Sequence, residues 1–174
     1  MLGRLQSVDQ VLILYVLFFP ILKKFPQNIH LLNLKNHFQE KDKILEIGTG
    51  SGYQAVLLSK LVRRVYTVER KAFLAKEAHS LISDMGIGNI TVIKADGALG
   101  LPIQAPFDKI LITAAAEEVP KILLDQLKIG GLMVAPIGPV DDYQFLTKVT
   151  KKVHGCDFQE YEEVKFVPLL EDTE

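Results

Sequence analysis

The sequence predicts an α/β fold: a mostly parallel sheet covered by helices and closed by a C-terminal β-hairpin. Three observations predict it. From Lys43 onward, short β-type runs alternate with helical ones, the pattern of strands joined by crossover helices. The first such strand, Lys43–Gly48, runs into a loop with glycines at 48, 50 and 52, and a helical run leaves that loop. Near the C-terminus, Tyr143–Lys151 and Tyr161–Val167 are both β-type with no helical run between them, which reads as a hairpin. A strand, a glycine loop, a helix and a second strand ending on an acid make the fold Rossmann-like.

Taken in order, the elements divide the chain near Glu40–Asp42, where composition shifts. Residues 1–40 are expected to be a divergent or truncated N-terminal segment, partly helical, and residues 41–174 the globular domain. Within the first part, Val11–Leu22 is almost wholly apolar, but its twelve residues fall short of the ~20 that a membrane-spanning helix needs. No small-x-small cleavage site follows it; Lys23-Lys24-Phe25 comes instead. A buried helix or a badly packed N-terminal arm is expected there, not stable membrane insertion.

In the second part, Tyr53–Arg63 reads as a helix with Val56, Leu57, Leu61 and Val62 on one face and cations at its C-terminal end, where they suit the helix dipole. Arg64–Glu69 is the second strand. Lys71–Met85 is a helix whose apolar stripe is Leu74, Ala78, Leu81, Ile82 and Met85, stopped by Gly86. Asn89–Lys94 is a strand ending at Ala95-Asp96-Gly97, and Asp108–Thr113 a fourth, running into Ala114-Ala115-Ala116. Pro120 sits in the first turn of the next helix, which Gly130-Gly131 is expected to close. Leu132–Ile137 is the strand after it.

Composition narrows the function classes. With 174 residues, one domain with a substantial core is expected. A net charge of −1 without basic runs argues against nucleic-acid binding driven by phosphate neutralisation. Cys156 is the sole cysteine, so no intrachain disulfide forms and a reducing compartment is the natural reading. His30, His37, His79 and His154 are scattered without ligand spacing, and no metal site is expected.

The residues that carry chemistry cluster at strand ends. Glu46, Gly48, Thr49, Gly50 and Gly52 form the loop Glu-Ile-Gly-Thr-Gly-Ser-Gly. Its glycines alternate, unlike the usual G-x-G-x-x-G of a dinucleotide site, and suit an adenosyl cofactor without phosphate: backbone N–H groups of such a loop face a ligand carboxylate. Glu69 follows the loop by about the expected ~20 residues and can accept from both ribose hydroxyls. Asp96 can receive the adenine amino group while Gly97 lets the base lie close. Thr113-Ala114-Ala115-Ala116 leaves the fourth strand at the switch-point edge, where small side chains make room for the transferred group and its acceptor. The absence of a hydride-transfer constellation disfavours an NAD-dependent oxidoreductase.

These residues resemble one family closely. Leu45–Gln54, Val65–Arg70, Asp96-Gly97, Phe107-Asp108, Thr113–Ala116, Val119-Pro120, Gly138-Pro139 and Phe166–Leu169 are similar to protein-L-isoaspartate O-methyltransferases, in register over roughly residues 41–170. The resemblance implies an S-adenosylmethionine-dependent methyltransferase fold with a seven-stranded sheet, and a cytoplasmic protein-repair role. Enzymes of this family methylate the α-carboxylate of isoaspartyl residues in damaged proteins and peptides. No catalytic side chain is assigned. A monomer is expected, with self-association through residues 11–22 as the alternative.

The departure lies upstream. The family carries a Gly-Gln-Thr-Ile-Ser-Gln-Pro segment that contacts the acceptor carboxylate. Here Lys24 and Phe25 precede Pro26 where serine and glutamine should stand. The resemblance therefore leaves three readings: a product whose start is out of frame, a paralogue with another acceptor, or a cofactor-binding remnant without catalysis.

Overall fold

The computed structural model describes residues 37–139 and 142–170. The expectations for residues 1–36, the apolar Val11–Leu22 run and Lys24-Phe25-Pro26 included, lie outside the described residues.

The described chain runs β1 (Lys43–Ile47), α1 (Tyr53–Ser59), β2 (Arg64–Glu69), α2 (Ala72–Asp84), β3 (Ile90–Lys94), β4 (Phe107–Ile112), α3 (Lys121–Asp125), β5 (Leu127–Ile137), β6 (Gln144–Lys151) and β7 (Cys156–Val164). These seven strands form one sheet in the order β3-β2-β1-β4-β5-β6-β7. Neighbours from β3 to β5 pair in parallel, whereas β6 runs antiparallel to both β5 and β7. The expected mostly parallel α/β sheet with a C-terminal hairpin is the fold observed. Strand order reverses between β1 and β4, the switch point where open α/β sheets bind ligands at their C-terminal strand ends.

Both faces of the central strands are covered, which is why they read as apolar runs rather than as alternation. Ile44 packs with Ala55, Leu58, Val65 and Ile82 on the face of α1 and α2. Leu45 and Ile47 point the other way, among Phe107, Ile110, Leu123 and Met133. Ile44, Leu45, Ile110 and Leu123 have no exposed surface. Each such side chain contributes about 1.5–3 kcal/mol through burial. At the N-terminal end of the strands, Asp108 ties β1 to β5: Lys43 N–H donates to it at 2.8 Å and Lys128 Nζ at 2.6 Å.

Three expected boundaries differ. The helix after the loop stops at Ser59 rather than Arg63, because tight turns at Lys60 and Leu61 bring the chain round to β2. Asn89 Nδ2, a side chain from the far end of α2's connection, donates to the carbonyls of Ser59 and Val62 there. The helix begun at Pro120 ends at Asp125, and Gly130-Gly131 do not close it; they lie inside β5, which starts at Leu127. The cause is a bulge. Opposite β4, the pairing slips from Phe107–Leu127 to Lys109–Leu132, and Gly130 sits at φ +76° to absorb the extra residues. Finally, the second hairpin strand occupies 156–164 rather than 161–167.

Candidate functional site

The C-terminal ends of β1, β2 and β4 open into a cleft of about 920 Å³. That is within the usual range for small-molecule sites, about 300–1,000 Å³. Gly48, Thr49, Gly50, Glu69, Gly97 and Thr113 all line it. The topology thus gathers into one cavity residues that the sequence scatters over four strand ends.

Each glycine of the loop meets a different demand. Gly48 has φ +94°, and a Cβ there would collide with Thr113 Oγ1. That hydroxyl lies 2.9 Å from both the Ile47 and Gly48 carbonyls, and so fastens β4 to the end of β1. Gly50 has φ +53° with open space around its missing side chain, so conformation alone requires it. Gly52 lets α1 approach α2: a Cβ would stand 3.3 Å from Ala78 Cβ.

The glycine N–H groups are not the ones that face a ligand. Gly48 N–H donates to Val68 O at 2.8 Å, Gly50 N–H to Glu69 Oε2 at 2.9 Å, and Gly52 N–H to Thr49 O at 2.9 Å. The loop is therefore held rigid by its own bonds, and its glycines contribute shape rather than donors.

Glu69 ends β2 at the cleft and is largely buried. Its Oε2 takes Gly50 N–H and its Oε1 takes Lys71 N–H at 3.0 Å. A carboxylate has about four acceptor positions. Two backbone donors thus orient Glu69 and leave acceptor capacity on both oxygens, which fits a vicinal diol. Gly97 lines the cleft at the end of β3, where a Cβ would stand 2.5 Å from Ile47 Cγ2. The missing side chain lets Ile47 pack directly against the Gly97 backbone at the edge of the cleft. Beside it, Asp96 Oδ1 accepts from Ala98 N–H at 2.8 Å and caps a short 3₁₀ turn. Asp96 itself is not among the residues that line the cavity, and it adjoins the lining through Gly97.

Glu46 is placed differently from the other sequence candidates. It is wholly buried beneath the loop, outside the cleft lining. Its Oε2 lies 2.5 Å from Thr67 Oγ1. Burial pushes its carboxyl up to about 8, against the opposing hydrogen bond of Thr67 and the nearby Gln54 amide and with a further rise from the Glu69 charge.

Several lining residues escaped the sequence reading. Leu74 and Leu81, read there as part of the helix's core stripe, border the cleft instead; Leu81 is 52% exposed. Val167, Pro168 and Leu169 form the opposite wall. They are stitched to the residues after β4, with Ala115 N–H donating to Val167 O and Leu169 N–H to Ala115 O, both at 2.7 Å. Gln144, wholly buried at the start of β6, holds this wall from behind. Its Oε1 accepts from Phe166 N–H at 2.9 Å and its Nε2 donates to the Pro139 and Asp142 carbonyls. No local signal marks that glutamine; its partners lie on either side of the hairpin.

Among the described residues, no helix is long and apolar enough to cross a membrane.

Comparison with known proteins agrees with this geometry. The profile of the family described as protein-L-isoaspartate(D-aspartate) O-methyltransferase matches residues 26–174, beginning upstream of the motifs quoted above. A protein-L-isoaspartate O-methyltransferase of Jannaschia sp. (strain CCS1) is 51% identical over 148 residues, covering 85% of this chain and 67% of that protein. One from Cereibacter sphaeroides (strain ATCC 17029 / ATH 2.4.9) is 52% identical over 146 residues, covering 84% and 67%. The chain thus spans about two thirds of the length of these relatives. Among solved structures, a protein-L-isoaspartate O-methyltransferase superposes with TM-score 0.71 at 28% identity, covering 76% of this chain and 43% of that one. A Plasmodium falciparum protein assigned to the same type, in complex with S-adenosyl-L-homocysteine, gives TM-score 0.66 at 27% identity over 80% of this chain and 71% of its own.

Proposed function

We infer the function from one premise: this chain belongs to the protein-L-isoaspartate(D-aspartate) O-methyltransferase family. The family is S-adenosylmethionine-dependent and its substrates are isoaspartyl proteins. The reading for this chain is that it binds S-adenosylmethionine in the cleft and methylates the α-carboxylate of isoaspartyl residues. The observation that carries it is the cleft itself, in which an oriented Glu69, Gly97 and the glycine loop converge at the switch point.

When bound, the cofactor supplies a methyl group activated on a sulfonium. The residues of the chain then have to hold, orient and exclude water. In this reading Glu69 accepts from the two ribose hydroxyls. Gly97 makes room for the adenine, with Asp96 beside it as acceptor for the amino group. Gly48, Thr49, Gly50 and Gly52 shape the end that receives the methionine part, and Thr113 locks that shape to β4.

No general base is required. An α-carboxylate has a reference pKa of about 3.5 and is ionised at neutral pH. It is already the nucleophile, so alignment with the methyl provides the rate. Of the small stretch after β4, Ala114 lines the cleft, and the acceptor chain would enter between it and Val167–Leu169; Ala115 and Ala116 are buried behind them. The methyl ester then closes to a succinimide, which reopens partly to normal aspartate.

A cytoplasmic monomer without nucleic-acid partners is the accompanying reading, supported by the net charge of −1 and the single cysteine. The alternative is a cofactor-binding form without transfer, favoured by Lys24 and Phe25 standing at the family's acceptor-contacting positions. Methyl transfer from labelled S-adenosylmethionine to matched isoaspartyl and aspartyl peptides separates the two. Transfer to the isoaspartyl peptide alone is expected. Tight S-adenosylhomocysteine binding with no transfer to either peptide would establish the alternative.

A further inference from the structure

Beneath the glycine loop lies a buried polar chain to which methyl transfer assigns no task. It starts at Glu46 on β1, passes to Thr67 on β2 across 2.5 Å, and passes from Thr67 to Thr49 across 2.7 Å. Thr49 is the residue between Gly48 and Gly50, and it lines the cleft. Glu46 and Thr67 have no exposed surface, and Thr49 is 4% exposed. Three hydroxyl or carboxyl groups thus connect the sheet interior to the wall of the cofactor site.

Such a chain has two proton arrangements. Each threonine hydroxyl has one proton to donate and two lone pairs to accept with. With Glu46 ionised, Thr67 donates to Glu46 and Thr49 donates to Thr67. Thr49 then has only lone pairs left for the cleft. With Glu46 carrying a proton, the carboxyl donates to Thr67, Thr67 donates to Thr49, and the Thr49 proton is released to serve a ligand acceptor. The remaining carboxyl oxygen, Oε1, is buried without a hydrogen-bond partner, which a neutral acid tolerates far better than a carboxylate.

We propose that Glu46 is a positioning residue of the cofactor site: through Thr67 it sets whether the Thr49 hydroxyl presents a donor or an acceptor to S-adenosylmethionine. The proposal rests on the cofactor reading above. The groups around Glu46 favour the donor arrangement. β2 presents Thr67 and the charged Glu69, α1 presents Gln54, and β4 presents Leu111 at the paired register position. Burial first, and then Glu69, raise the Glu46 carboxyl to about 8, so it is protonated at neutral pH.

The test is calorimetric titration with S-adenosylhomocysteine between pH 6.5 and 9 for the wild type, Glu46→Gln, Thr67→Val and Thr67→Ser. Titration of the ligand's own groups is common to all four proteins, so differences in slope report the chain. Wild-type affinity is expected to fall by about tenfold more across the range than that of Glu46→Gln, whose amide donates to Thr67 at every pH. Thr67→Val should bind more weakly with the flatter slope, and Thr67→Ser should restore the wild-type profile. Equal slopes in wild type and Thr67→Val would overturn the proposal while leaving the cofactor assignment intact. A wild type that binds no S-adenosylhomocysteine would instead remove the cofactor reading, and the proposal with it.

Melting without ligand supplies an independent readout. A carboxyl raised from 4.5 to about 8 binds more protons folded than unfolded, so wild-type stability falls as pH climbs between those values and levels off above them. The melting temperature of Glu46→Gln, which does not titrate, should therefore gain on the wild type from pH 5 to pH 8. A constant gap would place an ionised Glu46 in the folded protein and overturn the proposal.

Discussion

The two walls of the cleft are built by opposite strategies. The wall formed by the loop and Glu69 lies mostly within one stretch of chain, residues 47–71: Glu69 takes Gly50 N–H from 19 residues away and Lys71 N–H from two, and Thr113 pins the loop to β4. The facing wall is composite. Thr113–Ala116 come from the end of β4, Val167–Leu169 from beyond β7, and Gln144 at the start of β6 fastens them. The difference teaches that a strand–loop–helix unit can supply most of one wall from a single stretch of chain, with the end of β4 locking it. The facing wall is complete only when the last strands of the sheet are in place.

Substitutions should divide along that line. The largest effect is expected from Gly48→Ala. It forces a non-glycine residue to φ +94° and drives its Cβ into Thr113 Oγ1. Strain of this kind costs about 3 kcal/mol, or about 100-fold in S-adenosylhomocysteine affinity. Gly50→Ala, with a positive φ but open space, should lose only about a tenth as much in fold terms. Equal losses for the two, measured by calorimetry, would show that backbone conformation and not the seam with Thr113 shapes the loop.

Glu69→Ala comes next. It removes the acceptor for two backbone N–H groups and for the proposed ribose contact, at a cost of about 2 kcal/mol in cofactor affinity. The KM for S-adenosylmethionine should rise while the KM for peptide stays put. An unchanged cofactor KM would break the assignment of this wall.

The smallest expected effect is that of Gln144→Leu, and it should fall on the other wall. Phe166 N–H loses its acceptor, and the Val167–Leu169 segment loosens by about 1 kcal/mol. Several-fold weaker peptide KM with unaltered S-adenosylhomocysteine affinity is the predicted signature. Cofactor affinity falling in step with peptide binding would mean that the two walls act as one unit.

Much of this was legible in the residues. The alternation of β-type and helical runs from Lys43 onward predicts a parallel sheet because strands buried on both faces must be apolar throughout. Gly48, Gly50, Gly52 and Glu69 could be read because their spacing reflects one continuous piece of backbone. The reading failed at Gly130-Gly131, where a helix stop and a strand bulge make the same demand for a residue at positive φ; pairing of Leu127 with Phe107 decides between them, and that partner is 20 residues away. It failed also at Leu81, whose helical spacing matches the core stripe although the side chain borders the cleft.

The sequence by itself thus determined the fold class, which depends on periodicity, and the candidate glycine loop, which depends on short-range spacing; the family rests on the resemblance of its motifs to known proteins. Only the tertiary structure decided where Glu46 lies and which residues close the far wall. Glu46 reads as a cofactor residue just before the loop, yet its side chain turns inward because alternation along β1 puts it on the Ile44 face, under α1. There, loss of water rather than sequence position sets its protonation. Gln144 acquires its role only when the antiparallel strands bring Phe166 beside it. Burial and long-range hydrogen bonding are properties of the packed molecule, and no local pattern encodes them.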